Sequence, residues 1–353
     1  MNWNNSLSRR GFIKLASGTV ISMTVFTLAG RSAVKIVEAA ESPGSIATDI
    51  TKTTKNTVNS GRAKVFFTNN INIKGLTNIY SYVNNKIIGK TAIKLHTGEP
   101  HGPNLLPVTL IKSLQSTIPQ STIVECNVLY PSPRQFTKSH REVLKTNGFT
   151  FCQVDIMDAK GNAILPVPGM KEQISQGIVE NPDKHITEVS VGNHMLDYDS
   201  MLVYTHFKGH AMAGFGGSLK NIGIGVASKE GKKAVHGDGW PMGKEFIERM
   251  VESGCAIADH FKGHITYINV LKNMSVDCDC DAHAVPPVCN DIGILASTDI
   301  LAIDQASIDL VYKLPENQRH DLVERIESRN GLHQLEYMEK LNMGSREYDL
   351  IQI

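Results

Sequence analysis

Short apolar runs alternate with segments of helical spacing along most of the chain. Residues 64–68 predict a first strand, and residues 73–83 a helix with Leu76, Ile79, Tyr80 and Val83 on one side. A strand is expected over 88–96, a helix over 105–114 and a strand over 122–126. After a loop over 127–135, a helix is expected with Thr137 as N-cap and Asn147-Gly148 as its end, followed by a strand over 149–155. Beyond the turn at Gly161-Asn162, residues 187–191 and 200–204 predict two more strands. Residues 243–261 carry the strongest helical pattern, with Phe246, Met250, Cys255, Ile257 and Phe261 on the buried face. Strands at 264–271, 291–297 and 348–353 and helices at 302–313 and 320–343 complete the pattern. Strand and helix in alternation imply an α/β fold: a mixed, largely parallel sheet flanked by helices, forming one globular unit, with a division into two lobes left open. No period of the length that marks a repeat architecture is present. In such sheets ligands sit beyond the carboxyl ends of strands. Three loops qualify: the one with His96, Glu99 and His101, the stretch after Tyr204, and the loop before His140.

The first forty residues read differently. Ser8-Arg9-Arg10-Gly11-Phe12-Ile13-Lys14 resembles the twin-arginine export consensus, a weakly apolar run over 15–30 follows, and Val37-Glu-Ala-Ala40 suits signal peptidase. The apolar run is shorter and more polar than the roughly 20 residues of a membrane span. Residues 1–40 are therefore expected to be a twin-arginine signal peptide, with an uncleaved anchor as the alternative. The partner in export would be the twin-arginine translocase, and the mature chain would be periplasmic or otherwise extracytoplasmic, without a membrane span. That route carries folded proteins, often already loaded with a cofactor. Residues 41–62 are polar and aperiodic and read as a tether, leaving 63–353 as the globular part.

Composition narrows the function. The apolar fraction of 41% and the charged fraction of 20% fit a soluble globular protein. With 36 basic against 35 acidic side chains and 6% aromatic residues, the chain has neither the charge nor the stacking surface of a nucleic-acid binder.

Two stretches carry chemistry. Residues 205–221 contain His206, Lys208, His210 and Lys220 among Gly209, Gly214, Gly216 and Gly217, with His236 downstream. Glycine at that density suits a tight turn or a close approach of ligand to backbone. Lys220 there is a candidate anion holder or amine attachment point, with His206, Lys208, Gly214, Gly217 and His96 as further ligand-facing positions and a small anion as substrate. A glycine turn with capping histidines is the plain alternative. No phosphate-binding loop, dinucleotide fingerprint or nucleophile elbow is present. The second stretch is Asp277-Cys-Asp-Cys-Asp281. Cys278 and Cys280 are poorly spaced to bridge each other without strain, so metal ligation is expected, with His283 and Cys289 returning after Pro286-Pro287. An extended backbone would place both thiols on one face and the aspartates on the other. Such soft donors suit zinc, copper(I) or an iron–sulfur cluster. A reduced surface loop with an incidental disulfide is the alternative, and Cys126, Cys152 and Cys255 read as core residues.

Several runs resemble the bacterial and archaeal family of Fe–S centre proteins built on domain of unknown function 362: Ala92-Ile-Lys-Leu-His-Thr-Gly-Glu99, Val124-Glu-Cys-Asn127, His206 to Gly217, Lys220-Asn221, Ser275-Val-Asp-Cys-Asp-Cys280 and Asp291 to Ser297 with Ala302 to Ala306. The family name implies an iron–sulfur or other metal centre. The ferredoxin-like cysteine insert of some members is missing, which leaves Cys278, Cys280 and Cys289 with His283 or Cys126 as ligands. A second motif, His210-x-x-x-Gly214-Phe215-x-Gly217-x-x-Lys220 with His236 downstream, resembles the lactate racemase family, with Ser218 in place of a glycine. That resemblance implies a nickel-pincer nucleotide on Lys220, His210 as proton-transfer base, His236 as metal ligand and His140 as the second catalytic histidine. Three functions are thus expected in competition: an exported protein with a metal or iron–sulfur centre, a racemase- or epimerase-like isomerase of a small hydroxy acid, and a periplasmic binding protein without a metal.

Overall fold

Period-two alternation in the strands builds two cores on opposite faces of one sheet. The structure is a computed structural model that describes residues 62–169 and 184–353. The expected signal peptide and nearly all of the tether lie outside those residues. In chain order the strands are β1 (Ala63–Thr68), β2 (Thr91–Lys94), β3 (Ser121–Glu125), β4 (Asp155–Ile156), β5 (Asn162–Pro166), β6 (Glu188–Gly192), β7 (Ser200–His206), β8 (Lys208–His210), β9 (Gly214–Gly216), β10 (Ile265–Leu271), β11 (Gly293–Ser297) and β12 (Tyr348–Gln352). Eight of them form the main sheet in the order β12-β1-β11-β10-β7-β2-β3-β4. Within it β11 alone runs against its neighbours, so the sheet is mixed and largely parallel, as expected. The pairs β5–β6 and β8–β9 are antiparallel hairpins outside it. The described residues belong to one compact unit.

Ile93, Leu202, Tyr204, Ile268 and Val270 point to one face of the sheet. They are covered by α1 (Ile73–Tyr80), α2 (Val108–Ser116) and α3 (Thr137–Thr146). Ala92, Met201, Val203, Tyr267 and Leu271, one residue out of phase, point to the other. That face is covered by α4 (Ser218–Gly223), α5 (Lys229–His236), α6 (Lys244–His260), α7 (Ile300–Tyr312), α8 (Glu316–Ser328) and α9 (His333–Lys340). Every residue of β7 and of β10 is buried, so apolar side chains there contribute about 1.5–3 kcal/mol each. None of the described helices is long and apolar enough to cross a membrane.

Three expectations need correction. Residues 149–154 are not a strand; Phe149 and Val154 pack into the α1–α3 core, and only Asp155–Ile156 pairs with β3. Thr137 is the first helical residue rather than the cap, because Phe136 holds the extended conformation before it. The stretch after Tyr204 is not a plain turn. It folds into the β8–β9 hairpin and α4, and His236 ends α5.

A buried carboxylate starts α4. Asp304 on α7 accepts from the backbone N–H of Ser218 (2.8 Å) and of Leu219 (2.9 Å) and from Asn269 Nδ2 (2.8 Å). Burial raises its pKa to about 6 against these donors. A Cβ on Gly217 would lie 2.6 Å from this carboxylate, so glycine is required there for packing. Asp304→Ala strands the two amides, and urea unfolding should show a loss of roughly 2–4 kcal/mol. A loss below about 1 kcal/mol would show that water replaces the carboxylate.

Candidate functional site

Because β10, β7, β2 and β3 are adjacent and parallel, their carboxyl ends open on one edge, where a cavity of about 300 Å³ lies. Lys94 and His96 reach it from β2, Glu125 and Cys126 from β3, and Thr205 and His206 from β7. The hairpin after β7 adds Lys208 and His210, α4 adds Lys220, α5 adds Lys232 and His236, and the loop after β10 adds Cys278 and Cys280. The cysteine pair and the histidine–lysine stretch therefore share one site.

The floor is a buried ion network. Glu125 accepts from Lys94 Nζ (2.9 Å), Arg134 Nη2 (2.9 Å), and the amide and hydroxyl of Thr97 (2.8 and 2.9 Å). Burial opposes its ionisation, but the Lys94 and Arg134 charges prevail and bring its pKa down to about 2. Arg134 also contacts Glu99 (3.5 Å), His96 Nε2 (3.2 Å) and His140 Nε2 (3.3 Å). A second buried carboxylate, Asp279, faces His206 Nδ1 (2.9 Å) and Lys208 Nζ (3.0 Å). Burial alone would raise it, yet those two partners hold it well below the usual carboxylate range.

Lys94, Arg134 and Lys208 are thus committed to carboxylates, and Lys232 donates to the carbonyl of Ala227. Lys220 has neither hydrogen-bond nor ion-pair partner among the described residues. Burial, then repulsion from Lys208 and Lys94, lowers its pKa to about 7, so the amine is substantially uncharged near neutral pH. His210 Nδ1 accepts from the backbone N–H of Met212 (3.2 Å) and Ala213 (3.0 Å), which puts the ring proton on Nε2. Burial above all holds this imidazole neutral. His236 is stacked between Trp240 (4.2 Å) and Phe246 (5.1 Å), its buried Nδ1 has no partner, and burial brings its pKa down to about 4.

The expected sites are only partly brought together. His96, His206, Lys208, His210, Gly217, Lys220, His236, Cys278 and Cys280 line the cavity. His140 does not. It is fully buried, with Nε2 toward Arg134 and Nδ1 toward Asn127 Oδ1 (3.3 Å), and burial brings its pKa down to about 3. It positions Arg134 rather than touching a ligand. Gly214 sits at φ +76°, with Gly331 Cα 2.7 Å from where a Cβ would be, so it serves packing against the α8–α9 connection.

The expected sulfur cluster also changes. Residues 277–281 turn rather than extend, Cys278 and Cys280 are joined as a disulfide, and Asp279 points inward instead of into solvent. Cys289 is buried in the larger core with its thiol toward the Met274 carbonyl (3.2 Å), and His283 is exposed. The Cys126 thiol faces the Val226 carbonyl (3.3 Å), and burial pushes its pKa up to about 12. One group of three candidate metal ligands does converge among the described residues: His210, Cys278 and Cys280, with ligand atoms within 4.8 Å of one another. Sequence reasoning missed Lys94, Glu125, Arg134 and Lys232. Lys94 within a buried strand run and Glu125 at the end of another were the available signal.

The profile described as domain of unknown function (DUF362) matches residues 91–309, which contain every one of these cavity residues. The chain belongs to the DUF362 family. Among curated proteins no sequence matches. Solved structures similar to this DUF362 protein include the lactate racemase apoprotein from Thermoanaerobacterium thermosaccharolyticum, at 12% identity and a TM-score of 0.39, covering 70% of this chain and 57% of that one. A protein from Thermotoga maritima is similar at 12% identity and a TM-score of 0.34, covering 73% of this chain and 58% of that one. The chain therefore spans less than two thirds of the length of either, and likeness at this level says nothing about reaction or ligand.

The Lys220 amine makes stability depend on pH. It binds its proton below about 7 when folded and below 10.5 when unfolded. Between these values the unfolded chain holds more protons, so stability rises with pH across that window. Lys220→Met removes the effect. It should stabilise the protein by a few kcal/mol (roughly 1.4 per pKa unit) at pH 7, with the gain shrinking by pH 10, as denaturant titration at both pH values will show. An equal change at both would mean that Lys220 keeps its charge in the fold.

Proposed function

We propose that this DUF362 protein is a racemase- or epimerase-type isomerase of a small hydroxy acid, acting in the Lys220 cavity. The observation that carries this reading is the unpaired Lys220 amine, its pKa brought down to about 7 so that a large share of it is uncharged near neutrality, among cavity-lining histidines that are themselves held neutral. An uncharged buried amine is a nucleophile, able to form a covalent link that a solvated lysine would form slowly. The spacing of His210, Lys220 and His236 supports a cofactor of the nickel-pincer type, and the donors present fit one: Lys220 as anchor and His236, with its unpartnered buried nitrogen, as metal ligand. Such a group would supply a reversible acceptor for the hydrogen of the carbinol carbon.

The chain's own residues do the rest. The net positive field of Lys94, Arg134, Lys208 and Lys232 around the cavity favours an anionic substrate. His210, with its proton on Nε2, donates to the substrate oxygen and draws charge onto it. His96, neutral through burial and the Arg134 charge, replaces His140 as the second histidine of the site and is the base that takes the hydroxyl proton as the carbinol hydrogen leaves and returns it afterwards. Export by the twin-arginine route, carrying the folded and loaded protein past the membrane, belongs to the same proposal.

A second reading is favoured by the convergence of His210, Cys278 and Cys280: a soft-metal centre formed by the reduced cysteines. An iron–sulfur cluster draws no support from Cys289 or Cys126, whose thiols face backbone carbonyls instead.

Intact-mass and metal analysis of protein made in its own host decides between them. The isomerase reading expects an adduct on Lys220 that Lys220→Arg abolishes, together with interconversion of the enantiomers of a small 2-hydroxy acid, slowed roughly a hundredfold or more in that variant. Unmodified Lys220 with stoichiometric zinc or copper would favour the second reading, and an unmodified, metal-free, inactive protein would overturn both.

A further inference from the structure

The sulfur pair lies in the cavity and has no part in the isomerase chemistry. Its position is not that of a structural staple. A disulfide spanning a single residue removes little freedom from the unfolded chain, about half of what a 15-residue loop would remove. The two sulfurs are also unequal. Cys280 is part-exposed on the cavity, whereas Cys278 is buried and its Sγ accepts from the Cys280 amide (3.2 Å). His210 has a ring nitrogen within 4.8 Å of both sulfurs, and with Nδ1 accepting from two backbone amides its proton is on Nε2. Between the cysteines, Asp279 is pinned by His206 and Lys208, and its carbonyl accepts from the Glu99 amide (2.9 Å). The turn is therefore held from outside the disulfide, and its shape does not depend on the S–S bond.

From this geometry we infer that Cys278 and Cys280 form a dithiol–disulfide redox centre that exchanges two electrons with a dithiol entering the cavity. The entering thiolate attacks Cys280 Sγ. A bond forms between those sulfurs, the Cys278–Cys280 bond breaks, and the electron pair leaves on Cys278. The Cys280 amide and His210 Nε2–H stabilise that thiolate, which then takes a proton from solvent. The second thiolate of the same dithiol displaces Cys280 and departs as a disulfide. The protein gains two electrons and two protons, and the dithiol loses the same. Attack at Cys280 rather than Cys278 follows from access, and the leaving role of Cys278 follows from the donors around it. The exchange uses the sulfur pair and His210 but not Lys220. Its readouts are thiols and adduct masses, so it can fail or hold whether or not Lys220 carries anything.

The test uses the full chain under native conditions. Equilibration with reduced and oxidised dithiothreitol, followed by acid quench, alkylation and mass mapping, should show Cys278 and Cys280 gaining or losing label together and reversibly. Cys278→Ser should form a mixed disulfide with glutathione disulfide at Cys280 at least tenfold faster than Cys280→Ser does at Cys278. Trp240 fluorescence and circular dichroism establish that both variants are folded. His210→Ala should slow reduction several-fold, and His210→Gln, which keeps an N–H near the Nε2 position, should restore most of the rate. A pair that resists dithiothreitol until denaturant is added, or folded serine variants that trap glutathione equally fast, would overturn the proposal.

Discussion

Charge buried at the carboxyl ends of parallel strands must be paired, and in this protein Glu125 supplies most of the pairing. One carboxylate neutralises Lys94 on the neighbouring strand and Arg134 from the next loop, and binds the Thr97 amide as well. Removing one partner from such a set typically costs about 3–5 kcal/mol, because the remaining charges stay in a medium that solvates them poorly. The arrangement ties β2, β3 and the loop before α3 together at the point where the cavity begins. His140, buried behind Arg134, completes the same structure from the α3 side.

With its cations so committed, the floor presents no loose anion to the cavity, and this decides the state of everything above it. Asp279 is occupied by His206 and Lys208, Glu125 by Lys94 and Arg134, and Lys220 is left facing positive neighbours. Burial first, and these neighbours after it, lower its pKa to about 7, so that a large share of the amine is uncharged near neutrality. His96, His210 and His236 respond to the same field and to burial by remaining neutral imidazoles. A neutral amine beside neutral imidazoles can act on carbonyl and hydroxyl groups near pH 7, which none of these residues could do as a fully charged group. The dithiol–disulfide pair lies within the same field, next to the one histidine whose tautomer is set by two backbone amides.

Much of the fold was legible in the chain because its causes are local. Strands such as β7 and β10 are short apolar runs, α6 has a clear helical stripe, and the order of the elements implied a largely parallel sheet. Misreadings came where tertiary packing overrode local preference. Phe149 to Val154 has strand composition, but its apolar side chains are used under α1 and α2 without backbone pairing. The stretch after Tyr204 has the glycine content of a turn, yet Gly214 and Gly217 are there to let Gly331 and Asp304 approach. Cys278 and Cys280, one residue apart, are poorly placed to bridge in an extended backbone; the turn at Asp279 brings the sulfurs together.

The chain alone was enough to identify the α/β class and the family and to single out His210, Lys220 and His236 as candidates, because periodicity and motif spacing survive in one dimension. Only the tertiary structure could decide that the cysteine pair joins that trio, that Cys289 and His283 do not, and that His140 stands behind the site rather than in it. These outcomes depend on strand order and on which side chains are excluded from water, and neither is a property of neighbouring residues. The charge state of Lys220 has the same origin: burial in the folded cavity lowers its pKa first, and Lys208 and Lys94 lower it further, Lys94 lying distant in sequence and brought alongside only when β2 and β7 pair.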